Sequence, residues 1–130
     1  MSANMKGVIP YLVAKNASEA ADFYKAAFAA TEIDRRPTPD GRLMHCHLEI
    51  NGGALMMCDA FPEHGHAWEP VKSVMLTLIV TDGDLWWDRA IAAGCEVVSP
   101  FKLEFWGDRY GQLRDPQGVV WAINEPAKKD

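Results

Sequence analysis

The sequence predicts an α+β fold: two βαβββ modules with mixed sheets forming an open, cup-like barrel. Three observations predict it. The chain matches itself at an offset of 66 residues, the same order of element patterns runs through both copies, and a turn-rich stretch without period separates them. At that offset Val8 falls on Val74, Leu12 on Leu78, Asp22 on Asp88, Ala26 on Ala92, Ala27 on Ala93, Gly41 on Gly107 and Gly52 on Gly118, with no gap.

Each copy opens with a strand pattern, Val8 to Ala14 and then Val74 to Val80. A helix cap follows each strand, Asn16 or Asp82. Glu19 stands three residues after Asn16, the spacing of a capping box. The first helix puts Ala20, Phe23, Tyr24, Ala27 and Phe28 on one face. The second does so with Trp86, Ala90 and Ala93, flanked by Leu85, Trp87 and Ile91, and Gly94 suits its end. Trp86 and Trp87, at helical spacing, read as core or dimer contacts.

Three strands follow each helix. They are Glu32 to Arg36, Leu43 to Ile50 and Ala54 to Asp59, then Glu96 to Ser99, Arg109 to Arg114 and Val119 to Asn124. Asn51-Gly52-Gly53 and Asp115-Pro116-Gln117-Gly118 are hairpin turns. Ala60 to Lys72 reads as a linker. The expectation is therefore a single domain over 1–130, with module 1 at about 5–60, the linker at about 61–72 and module 2 at about 73–126.

A chain of 130 residues, 48% of them hydrophobic, is large enough for a sizeable core. The formal charge of −5, with no basic cluster beyond Lys128-Lys129, argues against nucleic acid or an anionic membrane as partner. Cys46, Cys58 and Cys95 form no CxxC pair and fit reduced thiols in the cytoplasm. The start of the chain has no apolar signal-peptide core, and no apolar run is long enough to span a membrane.

Two stretches carry a family resemblance. Ile9-Pro10-Tyr11-Leu12-Val13 followed by Ala20-Ala21-Asp22-Phe23-Tyr24 is similar to the first strand and "FY" helix of the vicinal oxygen chelate superfamily, which includes glyoxalases, bleomycin-resistance proteins and dioxygenases. Trp106-Gly107-Asp108-Arg109-Tyr110-Gly111, then Asp115-Pro116-Gln117-Gly118-Val119-Val120-Trp121, resembles its glycine-rich seventh strand and "DP-x-G" hairpin. "PYL", "FWGDRYG" and "DP-x-G-x-x-W" together most resemble the PhnB-like branch. The resemblance implies paired βαβββ modules, a homodimer and, in metal-using members, a divalent ion chelating vicinal oxygens of the substrate. It also implies that some members bind a drug without chemistry.

Matching those motifs puts the family's four metal-ligand positions at Ile9, Met56, Met75 and Ala122. The repeat agrees, pairing 9 with 75 and 56 with 122. None offers a hard oxygen or an imidazole, and neither do Val8, Pro10, Met57, Val74, Leu76, Trp121 or Ile123 beside them. No divalent metal is therefore expected.

Alternation along the strands assigns the faces. Met44, Cys46, Leu48 and Ile50 should pack under the helix. His45, His47 and Glu49 then face the cleft with Tyr11, Met56, Cys58, Thr77 and Asn124, and Trp106, Asp108, Arg109 and Tyr110 stand at its rim. Such a lining suits a small, partly apolar molecule. His45 or His47 with Glu49 could act as an acid–base pair, and His45, His47, His64 and His66 could hold a metal at an unusual place. Arg109 either grips an anionic group or pairs with Asp108 or Asp115. Cys58 lacks an evident base in the sequence and reads as a small apolar side chain. Three readings stay open: a metal-free small-molecule binder, a lyase, isomerase or dioxygenase-like enzyme, and a structural or regulatory dimer with an idle cleft.

Overall fold

The computed structural model describes residues 5–65 and 67–128. It divides into two compact units, the first ending at Pro70 and the second beginning at Val71. In unit 1 the chain runs β1 (Tyr11–Ala14), α1 (Ala17–Phe28), β2 (Thr31–Pro37), β3 (Leu43–Ile50) and β4 (Gly53–Asp59), then a short 3-10 turn at Pro62–His64. Unit 2 repeats the path as β5 (Met75–Ile79), α2 (Gly83–Ala93), β6 (Glu96–Leu103), β7 (Arg109–Arg114) and β8 (Val120–Glu125). Each sheet is mixed, ordered β1-β4-β3-β2 and β5-β8-β7-β6. The first strand of each unit lies parallel to the last and the other pairs are antiparallel. This is the predicted pair of βαβββ modules. None of the described helices is long and apolar enough to cross a membrane.

Helix α1 forms where the sequence places it. The Asn16 side chain accepts from the Glu19 N–H at 3.0 Å, satisfying a free donor of the first turn. Ala17, Ala20, Ala21, Tyr24, Ala27 and Phe28 are buried, against the inner residues Leu12, Cys46, Leu48 and Met57 of the sheet. Tyr24 and Phe28 stack with ring centroids 6.1 Å apart, and each contributes about 2 kcal/mol through burial. Phe23, predicted on the same face, is only half-buried.

A second device holds each helix start. The buried Asp59 carboxylate, at the end of β4, accepts from the Ala17 N–H at 2.9 Å and from the Leu43 N–H at 2.6 Å. In unit 2 Glu125, at the end of β8, accepts from the Gly83 N–H at 2.7 Å. Asp82, expected as the cap, makes no side-chain cap bond. The carboxylate at the end of the parallel neighbour strand takes the helix's positive end instead.

The repeat also has a slip that gapless matching hides. Offsets of 66 hold for β1, α1 and β4 against β5, α2 and β8. The inner parts of β2 and β3 match β6 and β7 at 65, since Cys46 pairs with Met57 where Gly111 pairs with Ile123. In unit 1 the extra residue is Met44: Arg36 pairs with His45 and Pro37 with Leu43, so Met44 has no partner on β2. This bulge corrects one assignment. Leu43, not Met44, is buried under α1, and Met44 is 61% exposed. In unit 2 the extra residue lies in β6, where Pro100 and Phe101 stand opposite Gly111. Strand β6 accordingly runs four residues past the predicted end at Ser99.

Candidate functional site

Unit 1 carries a groove of about 680 Å³. Its floor is Tyr11 and Val13 of β1, Cys58 of β4, which lies beside Val13, and the bulged Met44. One wall is the turn Thr38–Arg42 and the other is Phe61–His64. Arg42 ties the walls together. It donates to Glu63 at 2.6 and 3.2 Å and to Asp40 at 3.0 Å, and its guanidinium lies 4.3 Å from the centre of the Phe61 ring. The hydrogen bonds from Arg42 hold the Glu63 carboxyl down at about 2. Those from Arg42 and Thr38 hold Asp40 well below the usual carboxylate range. The groove thus has an apolar floor and a rim of two carboxylates and one guanidinium.

A polar cluster crosses the floor. The Tyr11 hydroxyl lies 3.2 Å from His45 Nδ1. Burial raises the Tyr11 phenol above its ordinary value, and the neighbouring Cys58 adds to the rise. Burial also raises the Cys58 thiol, partly offset by the Tyr11 hydroxyl. The Tyr11–His45 contact reaches from β1 to β3, and no pattern within one strand reveals it.

The predicted acid–base pair does not assemble. Neither His45 nor His47 is hydrogen-bonded to Glu49. His47 is buried, with its Nε2 lacking a partner among the described residues. Met56 pairs with Tyr11 on one side and with His47 on the other, so it shares their face. His66 lies outside the described residues.

The other predicted residues belong to unit 2 and do not line this groove. Thr77 is exposed and pairs with Ala122. The Asn124 amide donates to Asp108 at 3.2 Å, and Gln112 donates to the Tyr110 hydroxyl at 3.1 Å. Trp106 meets Tyr110 edge-on, with centroids 5.8 Å apart. Arg109 does not stand free at a rim, nor does it pair with Asp108 or Asp115. It donates to Asp84 of α2 at 2.7 and 3.1 Å and lies over Phe101, 4.5 Å from the ring centre. The alternation of β7 turns it to the helix side. Asp115 is taken by the turn: it accepts from the Gln117 and Val119 N–H groups and from Trp121 Nε1 at 2.8 to 3.0 Å.

The walls of the groove were not singled out in the sequence. Arg42, Asp40, Phe61 and Glu63 sit in turns, where periodicity is silent. The available signal was position, since one segment joins β2 to β3 and the other follows β4.

Residues 8–123 match the sequence profile of the Glyoxalase/Bleomycin resistance protein/Dioxygenase superfamily. The chain belongs to that superfamily. An uncharacterised protein of Mycobacterium bovis is 40% identical over 126 residues, covering 92% of this chain and 83% of the relative. A Pseudomonas aeruginosa protein of known structure superposes with a TM-score of 0.77 at 27% identity, over 95% of this chain and 99% of that one. A PhnB protein from Bacillus cereus superposes at 0.69 with 20% identity, over 92% and 99%, a likeness of fold.

The superfamily's divalent metal does not fit here. The positions that the family motifs match to its metal ligands hold Ile9, Met56, Met75 and Ala122, and thioether and alkyl groups are poor donors for hard divalent ions. Ala122 is also fully buried. Among the described residues no three His, Cys, Asp or Glu side chains converge as ligands.

Proposed function

We propose that this glyoxalase/bleomycin-resistance-like chain binds a small, partly apolar molecule in the unit 1 groove, without the superfamily's divalent metal. The observation that supports this is the groove itself. It has the volume of a small-molecule site and an apolar floor, and its few charged groups are pinned at the rim. A charge buried under an apolar ligand would be costly, and here the charges satisfy one another at the edge.

Thermal shift against a panel of uncharged aromatic and aliphatic compounds tests it. A ligand at 100 times its Kd stabilises the folded chain by about 2.7 kcal/mol. A hit that Met44→Asp abolishes supports the groove; a hit that Met44→Asp leaves unchanged sinks it. Metal analysis with added Ni, Zn, Mn and Fe tests the other half, and one tightly held equivalent overturns the metal-free reading. The same reading takes the chain as a cytoplasmic homodimer. Large exposed apolar side chains such as Phe105, Leu103 and Ile79 favour association, and sedimentation is the check.

A further inference from the structure

We propose that Cys58, Tyr11 and His45 make the unit 1 groove a thiol-addition site for uncharged, apolar α,β-unsaturated carbonyl compounds. This rests on the groove as the binding site and adds the class of its occupant. The three residues stand on β4, β1 and β3, which lie side by side in the order β1-β4-β3. To come 3.2 Å from His45 Nδ1, the Tyr11 hydroxyl must reach across β4, the strand that carries Cys58. Tyr11 and Cys58 both line the groove, so a molecule seated there meets the sulfur. Cys46 and Cys95 are buried and do not line it.

The chemistry follows from the thiol's surroundings. A half-buried thiol stays protonated and is a weak nucleophile until a base removes its proton. Tyr11, on the same face of the neighbouring strand two positions from the partner of Cys58, can pass that proton on. The thiol gives its proton to the phenol oxygen as the phenol gives its own to His45 Nδ1. The sulfur electron pair then forms a bond to the β-carbon of the electrophile. The C=C π bond breaks, and its pair moves to the α-carbon and carbonyl as an enolate. The proton held at His45 returns through Tyr11 to the α-carbon. One S–C and one C–H bond form, one S–H and one π bond are lost, and nothing else is consumed. The rim selects the substrate. Two carboxylates against one guanidinium disfavour anions, and the apolar floor favours a hydrocarbon or aromatic body.

N-Phenylmaleimide is the probe, and N-phenylsuccinimide, which lacks the alkene, reports binding alone. Peptide mass spectrometry of the folded chain should find the adduct on Cys58 before Cys46 or Cys95, forming at least tenfold faster than with the anionic N-(4-carboxyphenyl)maleimide. Cys58→Ser should abolish it. Tyr11→Phe and His45→Gln should each slow adduct formation about tenfold and leave the Kd of N-phenylsuccinimide within twofold. That split separates proton transfer from a merely structural role. Labelling of Cys58 at an unchanged rate in both variants overturns the relay. If N-phenylsuccinimide binds but Cys58 does not react, the thiol site is wrong and the groove reading stands. If neither compound engages the protein, both fall.

Discussion

Unit 1 and unit 2 follow the same path, but one extra residue is placed differently in each. In unit 1 it is Met44 on β3, and it turns an apolar side chain into the groove. In unit 2 it lies on β6 opposite Gly111, and it brings the Phe101 backbone within 2.7 Å of where a Gly111 Cβ would sit. The open faces diverge accordingly. Tyr11, His45 and Cys58 of unit 1 correspond to Thr77, Tyr110 and Asn124 of unit 2, where Tyr110 is tied to Gln112 and Asn124 to Asp108. The repeat conserves what closes a βαβββ unit, and the bulge decides what its face can bind.

The largest expected contrast lies in the carboxylates at the helix starts. Asp59 is buried and holds two backbone N–H groups, whereas Glu125 holds one and is partly exposed. Asp59→Ala should cost about 3 kcal/mol, since it strands two donors, and lower Tm by roughly 10 °C. Glu125→Ala should cost about 1 kcal/mol. Equal losses in denaturant unfolding would show that the two units do not share this device as described.

Next comes the bulge. Gly111 stands where unit 1 has Cys46, and a methyl group there meets Phe101 backbone and the Trp87 ring, both at 2.7 Å. Gly111→Ala should cost about 2 kcal/mol, because backbone cannot step aside as a side-chain tip does. Cys46→Ala, in a space that already holds a Cβ, should cost about 1 kcal/mol. A tolerated Gly111→Ala would mean that the β6 bulge is not what demands glycine.

A smaller contrast appears in alkali. Burial pushes the Cys95 thiol of unit 2 up to about 12. Unfolded, a cysteine ionises near 8.5, so the folded state keeps its proton longer. The stability this represents is whole below about pH 8.5 and is lost as pH rises toward 12. By pH 9.5 Cys95 alone should remove about 1 kcal/mol. Cys95→Ala should flatten that limb more than Cys58→Ser, because the Cys58 thiol is less buried. Chemical denaturation at pH 7.5 and 9.5 reads the difference, and identical limbs in both variants would refute it.

Most of this fold was legible in the sequence because the features that specify it are local. Alternation gave the strands, the Asn16–Glu19 spacing gave α1, and Asn51-Gly52 gave the tight hairpin, with both residues at positive φ. What stayed hidden is non-local. The cap at Gly83 comes from Glu125, 42 residues away. The partner of Arg109 is Asp84 on the helix, 25 residues away. The bulge at Met44 depends on pairing with β2, which no pattern within β3 reveals. For the site, alternation placed Tyr11, His45 and Cys58 on one face, but the walls lie in turns and the His45–Tyr11 link spans 34 residues.

The smallest expected effect concerns the helix ends, where the units solve one problem with different residues. Both helices stop on a left-handed residue, Ala29 at φ 53° in unit 1 and Gly94 at φ 114° in unit 2. A Cβ at such an angle crowds the carbonyl oxygen, at a cost of about 1 kcal/mol. Glycine avoids that cost but loses more backbone freedom on folding, by roughly half as much. Ala29→Gly should therefore stabilise the chain by about 0.5 kcal/mol, while Gly94→Ala should destabilise it by more than 1 kcal/mol. The sign of the first variant is the sharper test. A loss of stability on Ala29→Gly would mean that the Ala29 methyl makes contacts worth more than the strain it carries. The two units would then differ in how their helices end as well as in where their strands bulge.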